Sequence, residues 1–404
     1  MKKLMTLLAM LSLSIFTCTR CTDDNNQTLV FEKKQAVQEE PQTPTVTPGD
    51  NTSETPGETP GGSTGETPGG STGETPGGST GTTPAQPGTD RVIVAYVTYW
   101  DKVIPDPSLV THINYAFAHV KKTFDGVEVK TPSRLQQIVK LKEQNPKLKI
   151  LLSVGGWGAG NFSEMAASAS YRKSFCEDCL AKCKQYNLDG IDMDWEYPTS
   201  NSAGISSSSN DTKNFTSLMK DLRETLGNDY LITMASSASA KYVDFKNCIQ
   251  YMNFVNLMTY DMGRPPKHHS ALYPSSGKTS RSVKESVALH KNAGVPYEKI
   301  VVGAPFYCKA ASSSSSGDGT YYCDMGPLFS KYTERWDDTA KVPYLADSDG
   351  NMVFTHDNPR SIGLKADYVI ANNLHGMMFW NWEGDNPNTW EMTHAIYDKF
   401  YPAQ

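Results

Sequence analysis

No basic patch or stripe stands out in this chain of 404 residues, whose formal net charge is −6. A nucleic-acid partner needs clustered Lys and Arg to meet phosphates, so none is expected. No glycine-rich phosphate-binding turn is present either, which removes the main signature of a doubly wound nucleotide-binding sheet. Past the first residues, no apolar run is long enough to cross a bilayer. Metal-ligand spacings are also missing. His268 and His269 have no carboxylate or cysteine at ligand distance in sequence, and the pair Cys176 and Cys179 has no partner cluster. No metal and no cofactor is expected. The two histidines read as loop residues near a groove rim. Cys176, Cys179 and Cys183 fall on one face of an expected helix and read as core thiols or one local disulfide.

What is present begins with a basic start and a short apolar run up to Cys18, the pattern of an export signal over 1–17. The stretch Ile15-Phe16-Thr17-Cys18 resembles a loose bacterial lipobox, which implies lipidation at Cys18. Cys21 fits less well because Arg20 would occupy the small-residue position before the cut. The protein is thus expected to be exported and held on a membrane by its lipid, at the cell surface or in the periplasm, with simple secretion as the alternative. From Pro41 to Asp90 the chain is Pro, Gly, Thr, Ser and Glu, and the unit GETPGGST recurs from Gly57, Gly65 and Gly73. Such a segment has almost nothing to bury and cannot offset its ordering entropy. Residues 18–90 are therefore expected to form a disordered tether and linker that lets a folded domain reach a bulky substrate.

From Arg91 onward the texture changes, and the 38% hydrophobic content supports a sizeable core. Short apolar strands are predicted at Val92–Thr98, His112–Phe117, Lys149–Val154, Gly190–Trp195, Leu231–Ala235, Phe254–Thr259, Ile300–Ala304 and Met377–Trp380. Helical periodicity appears between several of them, as in Arg134–Glu143, Tyr171–Tyr186, Thr212–Leu226 and Val283–Lys291. The α/β class follows, with eight β/α units over 91–404 fitting a TIM (β/α)8 barrel, and a doubly wound sheet as the alternative. The interval between the seventh and eighth strands is too long for one helix. A small α+β insertion is expected there, over about 308–365, with Cys308 and Cys323 as a candidate bridge at its base in an oxidising compartment.

The fourth strand carries the chemistry. LDGIDMDWEYP sets Asp189, Asp192, Asp194 and Glu196 in an apolar frame. Side chains alternate along a strand, so Asp192, Asp194 and Glu196 share one face, with Ile191, Met193 and Trp195 opposite. Like charges this close raise at least one pKa, which suits a group that donates a proton near neutral pH. In a barrel, chemistry belongs at the C-terminal strand ends, where Glu196 stands outermost.

DGIDMDWEYP resembles the DxxDxDxE signature of glycoside hydrolase family 18, the chitinases and their relatives, and the resemblance extends from about Arg91 to the end. It implies substrate-assisted hydrolysis with retention, in which the sugar's own N-acetyl oxygen attacks the anomeric carbon. Glu196 would be the acid and then the base, Asp194 would orient the acetamido group, and Asp192 would share a proton with Asp194. Asp189 would be structural. Met258-Thr259-Tyr260-Asp261 resembles the family's MTYD element, which implies that Tyr260 meets the acetamido carbonyl, Asp261 a sugar hydroxyl, and Met258 the substrate. Ser153-Val154-Gly155-Gly156-Trp157 resembles the SxGG element, largely architectural, with Trp157 lining the groove. Trp380 matches the aromatic floor under the sugar, while Tyr96 and Phe117 sit where the family places groove residues. Trp100, Tyr242 and Tyr307 are weaker candidates. The resemblance implies an enzyme acting on chitin or chitooligosaccharides, expected to be a monomer with a carbohydrate substrate. Alternatives are an endo-β-N-acetylglucosaminidase acting on N-glycans and a sugar-binding lectin without activity. Lectin relatives usually lose the acid, whereas Asp192, Asp194 and Glu196 are all in place here.

Overall fold

The computed structural model describes residues 91–402, so the expected leader, Cys18 and the tether lie outside the described span. In chain order the strands are β1 (Val92–Thr98), β2 (His112–Val120), β3 (Val127–Val129), β4 (Lys149–Gly155), β5 (Gly190–Asp194), β6 (Leu231–Ser237), β7 (Phe254–Met258), β8 (Ile300–Pro305), β9 (Lys309–Ala310), β10 (Thr333–Asp337), β11 (Val342–Ala346), β12 (Met352–Thr355) and β13 (Gly376–Trp380). Strands β1, β2, β4, β5, β6, β7, β8 and β13 pair in parallel in that order, and β13 returns to β1 to close the barrel. The short β3 adds antiparallel to the far end of β2. This is a TIM barrel.

Alternation along each strand divides two cores. Val92, Val94 and Tyr96 of β1 face inward with Phe117, Ala235, Met258, Val301 and Met378. Ile93, Ala95 and Val97 face outward into the layer of helices, as do Ile191 and Met193 of β5 and Trp195 just after it. The helices are α1 (Pro132–Val139), α2 (Phe162–Ala167), α3 (Ala169–Tyr186), α4 (Asp211–Leu226), α5 (Phe245–Cys248), α6 (Val283–Ala293), α7 (Gly326–Lys331), α8 (Pro359–Ala371) and α9 (Glu391–Phe400). Their ends follow local chemistry. The Ser282 hydroxyl caps α6 by accepting from the Glu285 N–H, and Gly294 closes that helix at φ 112°. Asn358 and Ser361 form a capping box on α8, with Pro359 in its first turn. Apolar spacing of three and four buries Phe215, Leu218, Met219, Leu222 and Leu226 along α4.

Three expectations need correction. The first crossover, from Thr98 to His112, has no helix, so the regular run of eight β/α units is broken at its start. Pro105, Pro107 and the polar residues around them supply no helical stripe to bury. His268 and His269 are fully buried and are not rim residues, because the insertion folds over their loop. His268 Nε2 lies 3.2 Å from the Asp337 carboxylate on β10, and His269 Nδ1 lies 3.6 Å from Asp261. Cys308 and Cys323 form no bridge: each thiol instead donates to a separate backbone carbonyl, of Gly317 and Glu383. Cys176, Cys179 and Cys183 are free and buried on α3.

The insertion between β8 and α8 is a four-stranded sheet in the order β10–β11–β12–β9, with α7 beside it and a small core of Cys308, Ala310, Met325, Leu345 and Phe354. It is tied to the loop after β7. Arg264 grips Asp318 at 2.6 and 3.2 Å, and Lys309 lies 3.2 Å from Asp261.

Candidate active site

The barrel brings the acidic file to its mouth. Asp192 is fully buried in the barrel interior, Asp194 is 4% exposed, and Glu196 follows the end of β5 with partial exposure. Asp192 accepts four hydrogen bonds, from the Tyr96 hydroxyl (2.9 Å), Ser153 hydroxyl (2.8 Å), Thr233 hydroxyl (2.5 Å) and Asn256 amide (3.2 Å). Ser153 and Thr233 are its register partners on β4 and β6. Strand pairing therefore delivers two of the donors. Asp194 differs: its Oδ1 is buried and has no hydrogen-bond partner. Burial, then the charges of Glu196 and Asp192, push the Asp194 carboxyl well above its usual range. Burial also raises Asp192, but its four donors pull the other way. Four donors thus favour a charge on Asp192, whereas the open Oδ1 of Asp194 has none to offset its neighbours. Burial lifts Glu196 to about 7, and the nearby Asp261 charge adds to the rise.

Glycines allow this closeness. A Cβ on Gly155 would collide with the Asp194 carbonyl, and one on Gly156 would meet the Phe117 ring at 2.6 Å. Both positions also have positive φ, at 128° and 92°. The bond from the Gly156 N–H to the Asp194 carbonyl, 2.8 Å, seals the contact.

Around the acids stand two groups of rings. On the arc of β13, β1 and β2, Trp380 stacks on Phe117 (5.5 Å, 16°) and neighbours Tyr96 (5.8 Å) and the exposed Trp100 (6.4 Å). On the arc of β4, β5 and β6, Tyr197 stacks on Tyr242 (4.9 Å, 8°), with Trp157 edge-on at 6.5 Å. Trp157 is 64% exposed. Tyr260 lies against Met378, its hydroxyl 3.9 Å from the sulfur, and Met258 packs in the same inner cluster. Burial and then the charges of Asp194 and Glu196 keep the Tyr260 phenol protonated. Asp261, half exposed at φ 55°, accepts from the Tyr307 hydroxyl at 2.8 Å. Its surroundings by themselves would raise it, yet His269, Lys309 and Tyr307 together hold it below the ordinary carboxylate range.

Asp189 stands apart from this group. At the other end of β5 its carboxylate accepts from the Ile150 N–H at 2.8 Å and pairs with Lys142 and Lys149. Thr233, Asn256 and Glu383 went unread in the sequence. Asn256 is the one polar residue of an otherwise apolar β7, which is a usable signal, while Thr233 shares β6 with Ser236 and Ser237. Glu383 gave none; it accepts from the Thr98 N–H (2.8 Å) and hydroxyl (3.0 Å), while its Oε2 is buried without a partner. Among the described residues no cluster of His, Cys, Asp and Glu could hold a metal ion.

The sequence profile of the glycosyl hydrolases of family 18 matches residues 92–385. This chain belongs to glycoside hydrolase family 18. Chitotriosidase-1 of Mus musculus is 31% identical over 72% of this chain and 73% of its own length. Chitinase A1 of Niallia circulans is 30% identical over 70% of this chain, which spans about half (54%) of that longer relative. Among solved structures, a family 18 N-acetylglucosaminidase from Paenibacillus barengoltzii is 37% identical, with a TM-score of 0.69 over 76% of this chain and 99% of the other. Within the family fold, the acid file, the Tyr260 hydroxyl and the Trp380 ring lie at one mouth of the barrel.

Proposed function

We propose that this family 18 hydrolase cleaves β-1,4 links between N-acetylglucosamine units with retention, using the substrate's own amide as nucleophile. The bare Oδ1 of Asp194 carries the argument. A buried carboxylate oxygen with no donor, beside a neutral phenol and above an aromatic floor, suits an acetamido group: its N–H reaches Asp194 and its carbonyl accepts from Tyr260. As the amide N–H arrives, ionised Asp194 is favoured and its proton moves to Asp192. Three of the four donors on Asp192 are hydroxyls, which can turn to accept instead. Glu196 gives its proton to the glycosidic oxygen as that bond breaks, while the acetamido oxygen bonds to the anomeric carbon. Water, deprotonated by the Glu196 carboxylate, then opens the cyclic intermediate and regenerates the amide. A carboxyl held near 7 is protonated enough to donate and acidic enough to recover.

The chitinase names of the relatives, and the rings of Trp380, Trp100 and Trp157 along the mouth, favour a chain of sugars as substrate. The Paenibacillus relative is named an N-acetylglucosaminidase, and an activity of that kind in this chain would differ in product length. Export and lipid attachment at Cys18 complete the proposal, with residues 18–90 as tether. Loss of lipid labelling in Cys18→Ala checks that part. The decisive experiment offers the protein chitohexaose and, separately, a high-mannose glycopeptide, with products read by mass spectrometry. Shorter N-acetylglucosamine oligomers from the first and an intact second are expected. Glycan released from the glycopeptide, with chitohexaose untouched, overturns the substrate assignment.

A further inference from the structure

The insertion begins with a short ribbon, residues 306–308 beside 320–322, directly after β8. Two bonds join its sides: the Cys308 N–H donates to the Thr320 carbonyl and the Tyr322 N–H to the Phe306 carbonyl, each at 2.9 Å. They flank Tyr307 and Tyr321, which face each other as an antiparallel pair without a hydrogen bond of their own. Side chains of such a pair lie close together on one face. One rung of the ribbon therefore presents two phenols side by side.

The two hydroxyls serve different walls. Tyr307 is buried and donates to Asp261, past the end of β7, at 2.8 Å. Tyr321 turns to the end of β13, where its hydroxyl accepts from the Asn381 amide at 3.1 Å. Asn381 directly follows Trp380 and is fully buried, and its Oδ1 has no hydrogen-bond partner. The Tyr321 hydroxyl is thus what keeps the buried amide N–H from standing unpaired. The same ribbon also takes the Trp380 carbonyl, which accepts from the Phe306 N–H at 2.8 Å. Trp380 is so held through its own carbonyl and through the next side chain, while Phe117 stacks on its ring. None of these contacts touches Asp192, whose four donors come from β1, β4, β6 and β7.

We infer that Tyr321 is a positioning residue for the reaction: through Asn381 it fixes the Trp380 ring beneath the reacting sugar, while Tyr307, its partner across the rung, fixes Asp261 on the opposite wall. This rests on the activity proposed above. The insertion then acts as a brace across the mouth, and a ring that shifts misplaces the sugar against Glu196. The test uses the full chain with Tyr321→Phe, Asn381→Ala and the two together. Thermal melts and kcat/KM on chitotetraose, per folded molecule and across pH, are measured. Tyr321→Phe is expected to lose about fivefold in kcat/KM, the scale of one buried hydrogen bond. Asn381→Ala should lose about as much, and the double variant no more than either, since both break one contact. The fall in rate with rising pH near 7 should keep its place in all three, because no charge around Glu196 has changed. Tyr321 is half-buried and Phe keeps its ring, so this variant folds and its rate decides even where Asn381→Ala does not fold. A Tyr321→Phe rate equal to wild type, or losses that multiply in the double variant, overturns the inference. So does a lower melting temperature with an unchanged rate, the mark of a merely structural role. A wild type that leaves chitotetraose intact overturns the proposed activity instead. Chitotetraose affinities of the same four proteins by calorimetry then decide the brace: an equal loss in all three variants supports it, and unchanged affinity overturns it.

Discussion

Two of the places where this molecule buries carboxylates do so by opposite means. Beneath the insertion, Asp357 and Lys365 are both fully buried and pair at 2.6 Å, with the Ser270 and Ser361 hydroxyls also donating to Asp357. Burial works against the Asp357 charge, but Lys365 and the two serines hold its pKa below the usual value. At the end of β5, Asp192, Asp194 and Glu196 stand together with no cation among them, and Asp194 and Glu196 are pushed up. Burial of an acid is thus not by itself a functional sign. What separates the sites is compensation: one is closed on itself, and the other keeps an acceptor open for something that comes from outside.

Breaking the open site should remove chemistry and leave the fold. Glu196→Gln is expected to cut kcat by about 10³-fold or more while chitooligosaccharide binding persists, as read by kinetics and calorimetry. The folded Glu196 pKa near 7 exceeds the unfolded value, so its stabilising contribution is complete below the unfolded value and lost as pH rises through 7. At pH 8 the Gln variant should therefore melt no lower than wild type. Near-normal turnover would remove Glu196 from the mechanism. Breaking the closed site should do the reverse. Lys365→Met strands Asp357 and is expected to lose about 3–5 kcal/mol in denaturant melts, while activity per folded molecule is unchanged. Stability equal to wild type would mean the two buried sites do not differ as described.

Smaller changes sharpen the contrast. Asp192→Asn places an amide among groups that donate to a carboxylate and removes the acceptor for the Asp194 proton, so kcat should fall about 10- to 100-fold with modest change in KM. A loss confined to KM would refute the proton-accepting role. Asp261→Asn removes a charge that raises Glu196. Glu196 must be protonated to act, so kcat/KM falls with rising pH through about 7, and this limb should move to lower pH in the variant by less than about one unit. A limb that moves upward, or stays, breaks the link between the two residues.

Most of the barrel was legible in the chain, because each strand is a short apolar run and eight of them recur with amphipathic stretches between. The acid file was legible for the same reason: period-two alternation places Asp192, Asp194 and Glu196 together with no tertiary knowledge. Thr233 and Asn256 were harder, since one small polar residue in a strand does not announce which carboxylate it serves. The burial of His268 and His269 was not legible at all, because what covers them arrives from the insertion about seventy residues later.

Local pattern was thus enough for the class of fold, the end of the barrel that bears the chemistry and the residues at its centre, since those depend on spacing along single strands. It could not say that Asp192 gathers four donors while Asp194 keeps a buried oxygen open, or that Arg134 and Glu383 hold the segment after β1 where a helix was expected. These follow from through-space distances between segments far apart in the chain, where charge, burial and hydrogen-bond partners are assigned only once the barrel has closed.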